Sequence, residues 1–221
     1  MKQPFSAWRE GIRYYAPPFL VGIILLVLPW GGVWTDVAGA LGVAFGGYAL
    51  FFFRDPKREI PSGADVLVSP ADGTIVGIEE LQESPHYDGP CRRVSIFLSV
   101  FSVHVNRAPF DGTVEAVSYK PGAFKNAMRA DTTTINESNA IRFRTDRGLM
   151  TVRQISGAIA RRIVCRCAVG DKLARGERFG MIKFGSRTEL YLPLNARICV
   201  TLKEKVSGGS TVVAELPAPE R

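Results

Sequence analysis

Four short polar segments interrupt strand-like sequence and hold most of the residues able to do chemistry: 69–73 (SPADG), 102–109 (SVHVNRAP), 153–162 (RQISGAIARR) and 183–189 (KFGSRTE). The sharpest is Gly185-Ser186, where a strand in GMIKFGSRTELYLP breaks and resumes. An isolated Gly-Ser pair is ordinarily a turn. The alternative is an activated hydroxyl, because serine becomes a useful nucleophile when a base takes its proton and a third group orients that base. The chain has two imidazoles. His86, in the loop ESPHYDGP, reads as a solvated side chain. His104 stands in a strand-like segment beside Asn106 and Arg107, and is the better placed base, although a lone strand histidine is more often structural. Asp72 precedes Gly73 as a turn former does, and its twin Asp111 shows how ordinary that role is.

The elements that must position these residues read as β. After residue 60 short alternating runs appear at 74–78, 93–98, 113–119, 139–144, 149–155 and 198–202, with turn signals such as Asp72-Gly73 and Asp111-Gly112 between them. That spacing predicts an all-β sandwich or barrel, with helix limited to about 122–130. Two internal echoes sharpen this. PADGTIVGI (70–78) and PFDGTVEAV (109–117) share a pattern at an offset of 39, and Lys172-Leu173-x-x-Gly176-x-x-Phe179 matches Lys205-Val206-x-x-Gly209-x-x-Val212 at an offset of 33. Both look like pieces of the barrel-sandwich hybrid of lipoyl and biotinyl carriers, in which similar halves are joined by glycine-bearing turns. The expected fold class is therefore mainly β (α+β), a duplicated core behind an N-terminal helical hairpin. The carriers' exposed lysine signature is missing, and a fold is no evidence of function.

Composition bounds the rest. With 46% apolar residues among 221, the chain buries enough surface to exclude disorder, and four cysteines are too few for a disulfide scaffold. Residues 16–34 carry no charge over 19 positions and residues 37–53 none over 17. Each run approaches the roughly 20 residues that span a bilayer, so a two-helix membrane hairpin over 1–55 is expected, ahead of a domain over 56–221. Lys2, Arg9 and Arg13 precede the first run, and Arg54, Lys57 and Arg58 follow the second, which places both ends and the β domain on the cytoplasmic side of the cell membrane. There the four cysteines should be reduced thiols, and no metal site is expected. The net charge of +7 fits an anionic membrane surface rather than nucleic acid, given the apolar N-terminus.

Taken together, the segments 50–58 (LFFFRDPKR), 69–73, 95–109, 157–167, 170–186 and 187–193 resemble the phosphatidylserine decarboxylase proenzymes of the short bacterial and archaeal type, from about residue 45 onward. The resemblance implies a precursor that cuts itself at Gly185–Ser186. Ser186 would attack the Gly185 carbonyl, and elimination and hydrolysis would leave a pyruvoyl group, the covalent cofactor, at position 186. The β chain (1–185) and α chain (186–221) would stay associated. Asp72, His104 and Ser186 match the family's self-cleavage triad, with His104 as base and Asp72 as its orienter. Some relatives have a second histidine where Arg107 stands here. The pyruvoyl group would act as electron sink for decarboxylation of phosphatidylserine to phosphatidylethanolamine, with His104 delivering the proton to Cα. Asn106, Arg107, Arg153, Arg161 and Arg162 are candidates for holding the lipid phosphate and carboxylate. Two other readings stand beside this one: a non-catalytic membrane-tethered β-sandwich that binds lipid or protein, and a pyruvoyl decarboxylase of a soluble amino acid. Homo-oligomerisation is left open.

Overall fold

The computed structural model describes residues 5–29, 31–125, 134–158 and 162–217. The chain forms two compact units, Met1–Pro56 and Lys57–Arg221.

The first unit is a pair of helices, α1 (Ala7–Val27) and α2 (Val33–Phe52), each long and apolar enough to cross a membrane. Glycines line the seam. A Cβ on Gly22 would lie 2.6 Å from the Val43 backbone nitrogen, and one on Gly46 would lie 2.7 Å from the Phe19 Cβ. The outward faces carry Leu20, Ile24, Trp34 and Leu41, all exposed. Hidden glycine with exposed Leu, Ile and Trp reverses the water-soluble pattern and matches helix packing in lipid, where small residues let backbones approach. Pro17 and Pro18 lie inside α1, and Trp30 lies outside the described residues.

The second unit is built from fourteen described strands: β1 (Val66–Val68), β2 (Gly73–Leu81), β3 (Cys91–Leu98), β4 (Val105–Arg107), β5 (Gly112–Lys120), β6 (Ser138–Thr145), β7 (Gly148–Ser156), β8 (Arg162–Cys165), β9 (Lys172–Leu173), β10 (Arg178–Lys183), β11 (Ser186–Pro193), β12 (Arg197–Ile198), β13 (Lys205–Val206) and β14 (Val212–Glu215). Eight of them form one sheet in the order β13-β2-β3-β11-β7-β6-β5-β9. Two three-stranded sheets, β1-β14-β12 and β4-β10-β8, complete the unit. The mainly β class with a helical hairpin is as expected. Of the run at 198–202, Ile198 lies in a strand, β12, and the Cys199 N–H also donates to the Val213 carbonyl of β14 at 3.0 Å. No helix forms over 122–125, and 126–130 lie outside the described residues.

The internal echoes are structural. β2 pairs with β3 on one side and the short β13 on the other; β5 pairs likewise with β6 and the short β9. The β2–β3 ladder shifts register between Ile75 and Gly77, and the β5–β6 ladder shifts between Val114 and Ala116, the positions 39 residues later. The two small sheets correspond in the same way. One sheet face, with Val94, Ile96, Leu190, Val152, Ile141 and Phe143, forms the apolar core. On the other face of β11 and its neighbours, Arg187 (β11), Arg153 (β7) and Arg93 (β3) surround the fully buried Glu189. Tyr191 donates to the same carboxylate at 2.7 Å. Burying this many charges is tolerable because they compensate one another.

Candidate active site

Ser186 is the first residue of β11, where the chain leaves β10 of a small sheet and enters the large one. It is fully buried, in register with Leu98 of β3 on one side and Ser156 of β7 on the other. Its Oγ has no hydrogen-bond partner. A buried hydroxyl left unmatched costs roughly 1–3 kcal/mol. The turn before it is backbone-strained: Phe184 has φ 66° and Gly185 φ 59°. Glycine takes that conformation freely, whereas a phenylalanine there costs on the order of 1–3 kcal/mol.

His104 reaches this turn because β4 pairs with β10, the Ile182 amide donating to the His104 carbonyl at 3.2 Å. The ring is fully buried. Nδ1 lies 2.9 Å from the Ser102 carbonyl, which can only accept, so Nδ1 carries the proton. Nε2 then carries the lone pair, and it accepts the Gly185 N–H at 3.2 Å. The Ser99–Ser102 turn holds that carbonyl in place through the Ser102 N–H to the Ser99 carbonyl, 2.9 Å, and the Ser99 and Ser102 hydroxyls, 3.2 Å apart. His104, Gly185 and Ser186 are thus brought together.

Asp72 has other hydrogen-bond partners. Arg58 Nη2 donates to both its oxygens, at 2.9 and 2.7 Å, and the Gly208 N–H donates to Oδ1 at 2.8 Å. Burial pushes its carboxyl up, although Arg58, the Gly208 amide and, more weakly, Arg107 pull the other way. The group seen holding the His104 ring is the Ser102 carbonyl, which the sequence did not single out.

The remaining candidates separate by face. Asn106 is buried in a chain of amides: Asn139 Nδ2 donates to Gln154 Oε1 (3.1 Å), Gln154 Nε2 to Asn106 Oδ1 (2.9 Å), and Asn106 Nδ2 to Thr188 Oγ1 (3.1 Å). Arg107 is buried and donates to the Gly176 carbonyl at 3.0 Å. Arg153 lies across the sheet from Ser186, bound to Glu189 and to Ser138 Oγ. Arg162 is exposed on β8, in register with Lys183. Arg161 lies outside the described residues. Gln154 and Thr188, inside polar segments already visible in the sequence, were missed as members of the amide chain. Their signal was an uncharged polar residue in an otherwise apolar strand.

A buried serine, a strained glycine turn and an imidazole whose lone pair faces that turn make a nucleophile–base site on a duplicated β scaffold. Residues 45–214 match the model of the phosphatidylserine decarboxylase family. The chain is 46% identical over 209 residues to the phosphatidylserine decarboxylase proenzyme of Ralstonia nicotianae, with 94% of each chain covered. It is 45% identical over 210 residues to that of Ralstonia pickettii (94% of each), and 42% identical over 213 residues to that of Magnetococcus marinus (96% of each). The chain belongs to the phosphatidylserine decarboxylase family.

Proposed function

We propose that this chain is a membrane-anchored proenzyme that cuts its own backbone at Gly185–Ser186 and then decarboxylates phosphatidylserine to phosphatidylethanolamine. The observation that carries the reading is the contact between His104 Nε2 and the Gly185 amide beside an unpartnered, buried Ser186 hydroxyl. Ser186 Oγ attacks the Gly185 carbonyl carbon as His104 Nε2 takes its proton. The amide C–N bond breaks, the Ser186 nitrogen gains a proton, and an ester remains. Loss of the Cα proton expels the Gly185 carboxylate from Cβ, and water hydrolyses the dehydroalanine, releasing ammonia and leaving a pyruvoyl group. Strain at Phe184 is relieved when the bond opens, which favours the forward direction.

The residues present fit that group: position 186 is fully buried, and the unmatched oxygen marks a site without a competing hydrogen bond. The pyruvoyl carbonyl, once formed, supplies an electron sink for the substrate amine's α-carboxylate. His104, neutral and held by Ser102, can hand a proton to the substrate Cα only after taking one up, so it serves in both stages. Asp72 orients this end of the fold through Gly208 and Arg58. Arg162, exposed and paired with Lys183, which lies three residues before Ser186, is assigned to the lipid phosphate. Arg107 and Arg153, buried with partners of their own, are assigned to shaping the site. The new fragment 186–221 begins at the centre of the large sheet, with eight register pairs to β3 and six to β7, which supports the two chains staying together. The helical hairpin anchors the enzyme, with the β unit on the cytoplasmic side against anionic lipid.

The test is denaturing electrophoresis with intact mass. Wild-type protein should give fragments 1–185 and 186–221, the latter blocked to Edman sequencing and reactive with hydroxylamine. Ser186→Ala should give one 24.2 kDa chain. An active, uncut wild type would overturn the reading.

A further inference from the structure

We propose that Cys165 and Cys167 are a redox site: a dithiol that closes reversibly to a disulfide at the far end of the amide chain leading to the strand of Ser186. Cys165 ends β8, and the Arg166 N–H still donates to the Phe179 carbonyl of β10 at 2.8 Å. Beyond it the chain turns so that both thiols point the same way, and the two Sγ atoms lie 3.4 Å apart. Both side chains are half-buried at the rim of the core, within reach of a small oxidant. Cys91 is buried, and Cys199 lies in the other small sheet's half, so neither competes for this pair. Side-chain rotation alone covers most of the distance to a bond of about 2.05 Å.

The pair is chemically unequal. The S–H···S contact they share pulls Cys165 down toward the thiolate, while the same contact and burial push Cys167 up. One nucleophile and one resolving thiol result. With a peroxide, the Cys165 thiolate attacks an oxygen, breaks the O–O bond and becomes a sulfenic acid, releasing hydroxide. Cys167 sulfur then displaces the sulfenic oxygen as water. Two thiols lose two electrons, the peroxide is reduced to two waters, and one S–S bond forms. In a reducing compartment such a bond is transient, and the dithiol is the resting form.

Oxidation has a path inward. Gln154 Nε2 donates to the carbonyl of Val164, the residue before Cys165, at 3.4 Å, and also to Asn106, whose amide reaches Thr188, two residues beyond Ser186. Closure repositions the end of β8 at Cys165 and with it the Val164 carbonyl, which displaces the amide that Gln154 directs there. The chain of amides must then adjust next to His104 and Ser186.

The experiment treats purified full-length protein with hydrogen peroxide, blocks free thiols and digests with trypsin. Arg166 lies between the two cysteines, so the bond appears as peptide 163–166 cross-linked to 167–172, lost on reduction and absent from Cys167→Ser. Alkylation of both thiols after oxidation, sulfinic acid at Cys165, or bonds only to other chains would overturn the proposal. The catalytic consequence rests on the decarboxylase reading: closure should lower turnover about threefold, reversibly, in wild type but not in Cys165→Ser/Cys167→Ser. Unchanged turnover with the bond formed would overturn the inward path alone. An enzyme inactive even when reduced would overturn the decarboxylase reading instead, and the cross-linked peptides would still report on the bond.

Discussion

Asp72 and Asp111 hold equivalent places in the two halves of the β unit. Each precedes the glycine that opens a nine-residue strand, β2 or β5. Each accepts a backbone N–H from the opposing turn, Asp72 from Gly208 at 2.8 Å and Asp111 from Arg175 at 3.0 Å. The halves differ around this shared frame. Asp72 is also clasped by Arg58. More consequentially, β10 runs on through the strained Phe184-Gly185 turn into β11, in the middle of the large sheet, a step that β14 does not take within the described residues. Duplication supplies the scaffold twice, and the candidate chemistry sits where the second copy departs from the first.

The largest effect should come from that departure. Ser186→Ala removes the nucleophile, so no 186–221 fragment should appear and decarboxylation should fall to background. It also removes a buried hydroxyl that has no partner, so the precursor should melt no earlier than wild type, and later if the full cost of about 1 kcal/mol is recovered. Electrophoresis and a thermal melt of the same sample check both halves of the statement. An early melt would mean that the hydroxyl is matched and the strand is not strained there.

His104→Ala comes next. Loss of a positioned general base ordinarily costs 10²–10⁴ in rate, so fragment appearance after synthesis should slow by about that factor, with circular dichroism unchanged. A cleavage rate within about threefold of wild type would reassign the ring to a structural role.

A direct test of the comparison sets Asp72→Asn against Asp111→Asn. As turn formers the two should lose similar stability, about 1 kcal/mol each, read by denaturant midpoint. Only Asp72→Asn should also slow self-cleavage, by about tenfold. Equal cleavage rates would make Asp72 the plain twin of Asp111, with no part in orienting His104.

Much of this frame was legible in the sequence for a physical reason. D-G-T at 72–74 and 111–113 is turn chemistry followed by β-branched residues, and both copies became hairpin strands with the same register shift. The candidate site residues were also legible, because a Gly-Ser break in a strand and a histidine in a strand are locally anomalous. What was hidden depends on side-chain direction in the folded chain. Nothing local says that Arg153 turns away from Ser186 to meet Glu189, since a one-residue difference in register exchanges the faces. The Ser102 carbonyl is hidden for a different reason: every residue has one, and only the turn selects it. Cys165 and Cys167 were legible only as reduced thiols, and their 3.4 Å approach depends on how the chain runs beyond β8.

The smallest effect concerns the other histidine, which contrasts with His104 in the same unit. His86 packs against Tyr191, ring centroids 5.6 Å apart, above the Arg153–Glu189 cluster rather than in solvent as its loop suggested. Burial, then the positive charge of Arg153, lower its pKa to about 4, with Lys120 and Arg93 adding to the fall and Glu189 opposing it. The unfolded imidazole titrates near 6.5. Between those values the unfolded chain binds more protons, so this histidine's contribution is complete above about pH 6.5 and is lost as pH falls toward 4. Denaturant midpoints at about pH 7.5 and pH 5 should therefore drop more in wild type than in His86→Gln, which cannot take up the proton. Self-cleavage of His86→Gln at the higher pH should match wild type, since the ring lies over the sheet face opposite Ser186. Equal midpoint losses in the two proteins would mean that His86 is solvated after all, and a cleavage defect would mean that the two faces of the sheet are coupled.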